Sequence, residues 1–331
     1  MESTLKVYST FLLFSLLLSS TVSASNDPKV EKKKTYNKSY TVSGSDKISF
    51  DNRFGKLKIN TWDKNEVKVE VIITAKANSE ERAQIILDHI TIQDSKNGSG
   101  VSFKTKLDDE KRNWSKGDKD KYSNEGFDID YDVYLPGRNT LDAHNEFGET
   151  EIPDYPGEIT IETKFGSLTT GKLSNPKKVT VEFGTANIES ISNGDLTIKF
   201  SRAIINKLDG NVKASFEHCS GVKLNIDNNI KDLNVRNNFT TLYLDLNKNL
   251  SANFDIYSNF GEVSNRSSFD ISKEDRGDER GPKFDSRYSG KAGGGNSPMR
   301  IRSEFGHVVL GHNLNMDLKE EKGKKKKERD I

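Results

Sequence analysis

Nucleophilic or metal chemistry would have to use five histidines and one cysteine, and their spacing assembles no reactive group. His218 and Cys219 are adjacent, so on a strand they point to opposite faces and cannot share a proton directly. His307 and His312 lie five residues apart, with no acidic or cysteine neighbour to complete a metal-ligand pattern. We therefore expect Cys219 to be a small filler at a corner of the chain and not a nucleophile.

Acidic residues offer a second kind of chemistry, the binding of a cation. Asp118 and Asp120 have the spacing that begins a helix-loop-helix calcium site. That site then needs an acid or amide, a glycine and a glutamate, where this chain has Tyr122, Ser123 and Ile129. We interpret residues 108–126 as a solvated charged loop.

Asp128, Asp130 and Asp132 alternate with apolar residues, so in a strand their carboxylates share one face, about 7 Å apart. Adjacent members are close enough to share a cation. Acidic outward faces are also common on antiparallel edge strands, where they prevent association, and we favour this second interpretation.

Motifs of known catalytic sites are absent from the sequence. It has no Gly-x-Ser-x-Gly elbow, no His-Glu-x-x-His helix and no phosphate-binding glycine loop, since the glycines from Gly293 lack the lysine and helix of such a loop. The sequence thus predicts no catalytic, cofactor-binding or metal-binding residues and no cofactor. We expect a protein that is not an enzyme.

A short repeated phrase is the strongest pattern in the chain. It consists of Phe-Gly, one further residue and then a mostly apolar residue, and it occurs at Phe54, Phe147, Phe165, Phe183, Phe260 and Phe305. Phe200, Phe216 and Phe239 continue the spacing where the phrase lapses, with gaps of 16 to 23 residues from Phe147 to Phe260. A period of this length predicts a repeat architecture.

Side-chain parity within the repeats predicts where the phenylalanines point. Val179, Val181 and Phe183 are spaced by two, as are the aliphatic residues before the other phenylalanines, so we expect each ring to face inward with them. A second apolar stretch and turn residues such as Asn193-Gly194 follow in most units. The sequence predicts an all-β fold of stacked β-strand repeats, a β-solenoid, with a column of inward phenylalanines. The glycine after each Phe is expected to permit a bend or bulge.

The N-terminal third divides into three parts. Residues 1–24 read as a signal peptide, because Lys6 precedes an apolar run and Val22-Ser23-Ala24 supplies a cleavage site. Residues 25–39 are lysine-rich without periodicity and read as a leader segment. Residues 40–135 form a β-rich region with one short helix, which Ser79 can cap and in which Ala83, Ile86, Leu87 and Ile90 share a face.

Residues 136–317 form the repeat region, with a polar insertion at 265–298, and residues 318–331 form a charged tail. We interpret the tail as a solvated end, although contact with anionic lipid or polysaccharide is an alternative. The chain has 51 Lys and Arg against 50 Asp and Glu, which gives no electrostatic case for nucleic acid. A single cysteine excludes an intramolecular disulfide, and no second apolar run is long enough to span a membrane.

Four segments carry a resemblance to a known family. They are Tyr134-Leu135-Pro136, Asn145-Glu146-Phe147-Gly148, Gly157-Glu158-Ile159 and Thr163-Lys164-Phe165-Gly166. Through them the chain resembles the putative-adhesin family of bacterial β-strand repeat proteins, a domain of unknown function, from Tyr40 to Leu310. The resemblance implies a secreted, right-handed β-solenoid-like protein of a Gram-negative, Bacteroidota-like cell envelope. It implies no functional residues.

The leading hypothesis is a non-enzymatic, exported β-repeat protein, an adhesin-like binding module of the periplasm, the outer-membrane surface or the extracellular space. Its partner would be an envelope or extracellular polysaccharide or a surface protein, with contacts from strand faces, the 265–298 insertion and exposed aromatic residues, namely Trp62, Trp114, Tyr122 and Tyr288. One alternative is a β-helical carbohydrate-active enzyme that uses Glu162, Glu182 and Lys199. Another is an envelope-stress accessory protein. The oligomeric state is left open.

Overall fold

The alternating segments fold as strands. The computed structural model describes residues 30–108, 125–275 and 284–316, and within these ranges it contains one helix, α1 (Glu80–Asp88), and 21 strands. The N-terminal strands are β1 (Val30–Thr41), β2 (Lys47–Arg53), β3 (Leu57–Trp62), β4 (Glu66–Ala77), β5 (Ile90–Asn97), β6 (Gly100–Leu107) and β7 (Gly126–Pro136). The next are β8 (Leu141–Glu146), β9 (Glu149–Ile152), β10 (Tyr155–Lys164), β11 (Ser167–Glu182), β12 (Thr185–Lys199), β13 (Arg202–Glu217) and β14 (Gly221–Asn238). The last are β15 (Thr241–Leu246), β16 (Ala252–Asn259), β17 (Glu262–Asn265), β18 (Asp270–Lys273), β19 (Asp285–Ala292), β20 (Ser297–Glu304) and β21 (His307–Gly311).

The strands pair in two ladders. Layer A has the spatial order β5, β6, β2, β8, β10, the C-terminal halves of β11 to β14, β20, β16, β19, β18. Layer B has the order β1, β4, β7, β3, β9, the N-terminal halves of β11 to β14, β15, β21, β17. Pairing is parallel except near the ladder ends. The all-β class with one short N-terminal helix is confirmed.

Residues that pair on neighbouring strands of the repeat region lie about one repeat apart in the sequence. Leu168, Ala186 and Ala203 are register partners in layer B, and Val181 and Ile198 are partners in layer A. Apolar side chains of both layers are buried in one common cluster. The predicted turns at Asn193-Gly194 and Asp209-Gly210 lie where β12 and β13 pass from layer B to layer A, and the backbone at Asn193, Gly194 and Gly210 has positive φ.

Phenylalanines form a continuous column at the corner where layer A strands end and layer B strands begin. The rings stack with centroids 4.6–5.2 Å apart, in the spatial order Phe54, Phe147, Phe165, Phe183, Phe200, His218, Phe239, Phe305, Phe260 and Phe284. We call these ten residues the aromatic column. The backbone ladder runs through the corner as well, because the Phe183 amide donates to the Lys199 carbonyl at 3.1 Å.

The column is on the surface, so the predicted inward orientation is wrong. Phe165, Phe183 and Phe200 are 46%, 46% and 47% exposed, whereas Val181 is fully buried. The reason is the backbone, which at Phe183 has a φ of 56° and takes similar left-handed values at every other column residue except Phe284. A left-handed residue leaves the alternation of an extended strand, so the parity of the preceding aliphatics does not extend to the ring.

One predicted member does not belong to the column. Phe216 is buried in the core, and His218, two residues later, takes the left-handed position between Phe200 and Phe239. The irregular gaps on either side of Phe216 follow from this substitution, because the spacing from Phe200 to His218 is again 18 residues.

Glycine follows the ring because neighbouring units touch through their backbones. A Cβ added to Gly184 would lie 1.8 Å from the Gly166 carbonyl oxygen, and one on Gly166 would lie 1.9 Å from that of Gly148. The Gly166 carbonyl also accepts a hydrogen bond from the Thr185 amide, at 3.1 Å. The bend itself is made by the left-handed phenylalanine, and the glycine after it permits the close approach of neighbouring backbones at the corner.

The predicted leader segment is structured from residue 30 onward, which corrects that interpretation. β1 pairs antiparallel with β4 along its whole length, from Val30 opposite Ala77 to Thr41 opposite Glu66. Its lysines are spaced among Val30, Tyr36 and Tyr40, which pack against the core. β1 is the edge strand of layer B, and charged edge strands resist pairing with other chains. Residues 1–29, including the predicted signal peptide, lie outside the described residues.

Helix α1 begins as predicted. The Ser79 hydroxyl accepts from the Arg82 amide at 3.3 Å and caps the helix, and Ala83, Ile86 and Leu87 are its buried residues. Ile90, which was expected on the same face, is instead the first residue of β5. Arg82 forms an ion pair at 2.7 Å with Glu125, which precedes β7.

The final unit is out of sequence order. β20 lies between β14 and β16, and β21 lies between β15 and β17, so residues 297–311 are inserted between two earlier units. The predicted polar insertion at 265–298 contains β18 and β19, which extend layer A beyond β16. Across residues 30–108, 125–275 and 284–316, no helix is both long and apolar enough to cross a membrane.

A polar cluster ties the outermost strands of the two layers together. The hydroxyls of Tyr36 and Tyr40 on β1 both donate to the Asp94 carboxylate on β5, from Tyr36 at 2.5 Å. Burial alone would raise the pKa of Asp94, but the two tyrosine hydrogen bonds outweigh it and hold this pKa below its ordinary value of 3.8. Burial and the bond to Asp94 raise the pKa of Tyr36.

Gly184→Ala should lower the free energy of unfolding by about 3 kcal/mol, because the added Cβ collides with backbone that cannot move independently. Gly44→Ala is the matched control, since nothing lies within 4 Å of a Cβ at that position. Urea denaturation of both variants measures the difference. Equal stability of the two variants would contradict the close contact between units.

Asp94→Asn should lower the free energy of unfolding by about 2 kcal/mol at neutral pH, because it removes the charge that both tyrosines bond. Since the folded-state pKa of Asp94 is depressed, its contribution is present above pH 3.8 and is lost as the pH falls through the folded value. The variant and the parent protein should therefore converge in strongly acidic solution. Denaturation at neutral and acidic pH tests this, with exposed Asp63→Asn as the control. A constant difference at all pH values would refute it.

Candidate binding site

A polar groove on layer B is the candidate binding site. It has a volume of about 480 Å³ and is lined by residues of the three neighbouring strands β13, β14 and β15 and of the segments that follow β15 and β21, namely Asn206, Lys207, Asn225, Ile226, Asp227, Asp245, Leu246, Asn247, Lys248, His312 and Asn313. Register places Asn225 beside Asp245, which in turn lies beside Gly311. The parallel stacking therefore gathers residues that are up to 107 positions apart in the chain. We call this set the layer B groove.

The chain segment after β21 builds one wall of the groove. Asp245 accepts the amides of Asn313 at 2.7 Å and Leu314 at 3.1 Å and pairs with Lys223 at 3.0 Å. His312 is held by the Leu246 carbonyl, 2.6 Å from Nδ1, and by the Ser268 amide, 3.1 Å from Nε2. These two contacts fix the orientation of the ring in the wall of the groove.

Other groove side chains remain available to a ligand. Within the described ranges, Lys248 and Asn313 have no hydrogen bond from their side chains to the protein, and Asn206 uses only its Nδ2, toward Asn187 and Glu189. The Asn225 amide also has no partner in these ranges, but its Oδ1 is buried, so it can offer a ligand only its Nδ2. Two lysines balance two aspartates around the groove, and the bond to Asp209 raises the pKa of Lys207 and keeps it charged. The arrangement suits an uncharged ligand with many hydroxyl or amide groups.

Charges beside the aromatic column follow a regular pattern. The residue before each of the first six rings, from Phe54 to His218, alternates in sign along layer A, in the order Arg53, Glu146, Lys164, Glu182, Lys199 and Glu217, and each is the register partner of the next. Arg53 and Glu146 are 2.9 Å apart, and Lys199 and Glu217 are 3.0 Å apart. We call these six residues the charge row. Opposite charges on neighbouring strands favour this register.

The candidate catalytic residues of the enzyme alternative are neighbours engaged in ion pairs, since Lys164 contacts Glu162 and also lies 3.9 Å from Glu182. Glu182 and Lys199 are neighbours within the charge row. Glu162 contacts Lys164 at 2.5 Å and His144 at 3.2 Å, and the bond to Lys164 lowers its pKa. A general acid at neutral pH needs a raised pKa, so Glu162 is held in the opposite state.

The three aspartates of β7 bind protein groups separately. Asp128 pairs with Lys76 at 3.0 Å, Asp130 accepts the Lys56 amide at 2.8 Å, and Asp132 accepts from Asn60 at 2.7 Å. Across the described residues, no group of three or more His, Cys, Asp or Glu side chains is arranged to hold a metal ion. Asp118 and Asp120 lie outside those residues.

Cys219 is buried, and burial raises the pKa of its thiol. The thiol contacts the Ile198 carbonyl at 3.3 Å, while His218 stacks in the aromatic column. The two side chains therefore have separate environments, which agrees with a filler role for the cysteine. His307 and His312, which the sequence analysis considered together, also have different surroundings. His307 lies 3.5 Å from Glu262, and His312 lines the layer B groove.

The predicted aromatic contacts are only in part on the surface. Trp62 is half-buried against Tyr134, and its indole donates to the Glu66 carbonyl at 2.7 Å. Tyr288 packs on the core, and Trp114 and Tyr122 lie outside the described residues. The groove was missed because its residues belong to different units. The recurrence of Asn and Asp near the ends of the layer B strands that line the groove was the available signal.

No protein-family model and no curated protein matches the chain. Two solved structures are similar to it. A putative adhesin from Bacteroides fragilis is 12% identical, with 86% of this chain and 100% of that one covered and a TM-score of 0.42. A putative cell adhesion protein from Clostridium sporogenes is 14% identical, with 85% and 100% covered and a TM-score of 0.26. Both descriptions agree with the putative-adhesin resemblance of the motifs, and at these TM-scores neither likeness bears on what this chain binds.

Proposed function

We propose that this protein is an exported, non-enzymatic binding module of the adhesin type, which acts in the cell envelope or at the cell surface. The layer B groove carries the proposal. It is the place where side chains with unused hydrogen-bonding groups from several units converge, and it has a balanced charge. The partner is an envelope or extracellular polysaccharide or a surface protein. Export depends on residues 1–24 acting as a signal peptide.

The scaffold for this function is a β-solenoid in our proposal. Each coil consists of a layer A strand, the Phe-Gly corner, a layer B strand and a second turn. The parallel partners one repeat apart in both layers support this, as does the single buried cluster between them. The N-terminal β-rich region at 40–135, the repeat region at 136–317 and the tail at 318–331 are the corresponding divisions of the chain.

A binding role without catalysis is supported by the state of the titratable groups. Glu162 is ion-paired, its pKa is lowered, and the thiol of Cys219 is buried. A glycan-degrading enzyme of this shape would need an acid with a raised pKa beside a second carboxylate. The groove carboxylates instead hold the wall of the groove in place, as Asp245 does.

Exposure of the exported protein to a glycan array, combined with a degradation assay on every glycan that binds, tests the proposal. We expect retention of a hydroxyl-rich ligand without release of products. Shortened glycan products would contradict the non-enzymatic role. Protease treatment of intact cells, compared with cell fractions, would separate a periplasmic from a surface location.

Asn225→Ala should weaken binding of such a ligand about tenfold, because the ligand loses the hydrogen bond that the Asn225 Nδ2 donates into the groove. Asn234→Ala is the matched control, since Asn234 is an exposed amide on the same strand, β14, but in layer A. Titration calorimetry with each variant measures the affinities. Equal affinities for the two variants would place the ligand elsewhere on the protein.

A further inference from the structure

The aromatic column is an exposed apolar stripe of unusual length. Phe147, Phe165, Phe183 and Phe200 are 41–47% exposed, and the stack continues in both directions. Because the ring faces contact one another, each residue presents its edge to solvent. Contiguous apolar surface of this kind on a protein marks an interaction site.

The order of charges in the charge row is complementary to the same row read in the opposite direction. It contains three positive and three negative side chains in strict alternation, so it has no net charge. If a second copy is turned about a two-fold axis that crosses the column between Phe165 and Phe183, the order of the row is reversed. Lys164 then faces Glu182 of the second copy. Glu146 faces Lys199, and Arg53 faces Glu217, so every contact joins opposite charges.

The other flank of the column has the same property. The residues two positions after the rings, at the start of the layer B strands, are Glu149, Ser167, Thr185 and Arg202, in register along four strands. The same two-fold axis places Ser167 opposite Thr185 and Glu149 opposite Arg202 of the second copy. Arg202 has no ion pair within the described part of its own chain, while the Glu149 side chain is 63% exposed and lies 3.6 Å from the Lys56 ammonium.

We propose that this face of the protein binds a second copy of the chain as a symmetric, antiparallel dimer through the aromatic column and its two flanks. The same patch on both partners meets itself, as a two-fold interface requires. Each ring side chain has about 200 Å² of surface. At the exposure given above, four rings therefore provide on the order of 350 Å² of exposed apolar area per copy. A stable interface buries about 800 Å² per partner, so the flanking rows are part of it.

A second copy fits this surface better than a membrane does. Anionic lipid attracts an excess of positive charge, and the charge row has none. The alternation would also offer no preference for a lipid headgroup, whereas it fixes both the direction and the register of an antiparallel copy. The alternating charges, together with the apolar stripe, therefore identify a second copy as the partner.

Sedimentation equilibrium of the purified exported protein tests the proposal through a charge exchange. Arg202→Glu sets Glu149 against a like charge at both symmetric contacts and should weaken dimerisation at least about tenfold. Glu149→Arg should do the same, and Lys56 then keeps its partner Glu151 at 2.5 Å. An equimolar mixture of the two variants should dimerise again, because both contacts then join opposite charges.

Arg236→Glu is the control, since Arg236 is an exposed arginine of layer A in a unit beyond the proposed contact. Circular dichroism of each variant verifies folding, and rescue in the mixture excludes misfolding as the cause. A protein that is monomeric at every concentration overturns the proposal. A monomer that sediments with phosphatidylcholine vesicles overturns it too, because the column then binds lipid instead of a second copy. Dimerisation of Arg202→Glu at the parent strength, or a mixture without rescue, overturns it as well.

Discussion

Stacking of left-handed phenylalanines at one corner is the interaction on which the rest of the structure depends. A left-handed backbone costs a residue such as Phe183 about 1–2 kcal/mol. Each ring contacts two others, and an aromatic pair contributes about 0.5–1.5 kcal/mol beyond the area it buries. The two terms are of similar size, so the corner is stable when the column is continuous. A column interrupted at one ring loses two contacts at once.

The corner also fixes the register of the units, and the surface follows from that register. Ring stacking, the contact between successive glycines and the alternating charge row all specify the same alignment of neighbouring strands. With the alignment fixed, side chains at equivalent positions become neighbours in space. The layer B groove arises in this way, since Asn225 and Asp245 are register partners on adjacent strands. In our proposal, ligand binding therefore uses surface residues that vary between units, while the corner stays constant.

Local patterns predicted the elements well and the long-range arrangement poorly. Alternation of apolar residues, the Ser79 cap and the Asn193-Gly194 turn are local features, and each has the expected role. The direction of the rings depends on the sign of φ at phenylalanine, which alternation does not report. The position of β20 and β21 between earlier units is decided by pairing between residues more than 60 positions apart. The groove depends on the same pairing, and β1 was missed because its lysines obscure its contacts with β4.

The stability of Phe183→Asn tests the central claim most directly. Asparagine adopts the left-handed conformation more readily than phenylalanine, so the substitution relieves the backbone while it removes two stacking contacts. If stacking holds the corner, thermal and urea denaturation will show a loss of about 2 kcal/mol relative to the parent protein. If the variant is as stable as the parent or more stable, the ring is a tolerated surface residue and the account of the column is wrong.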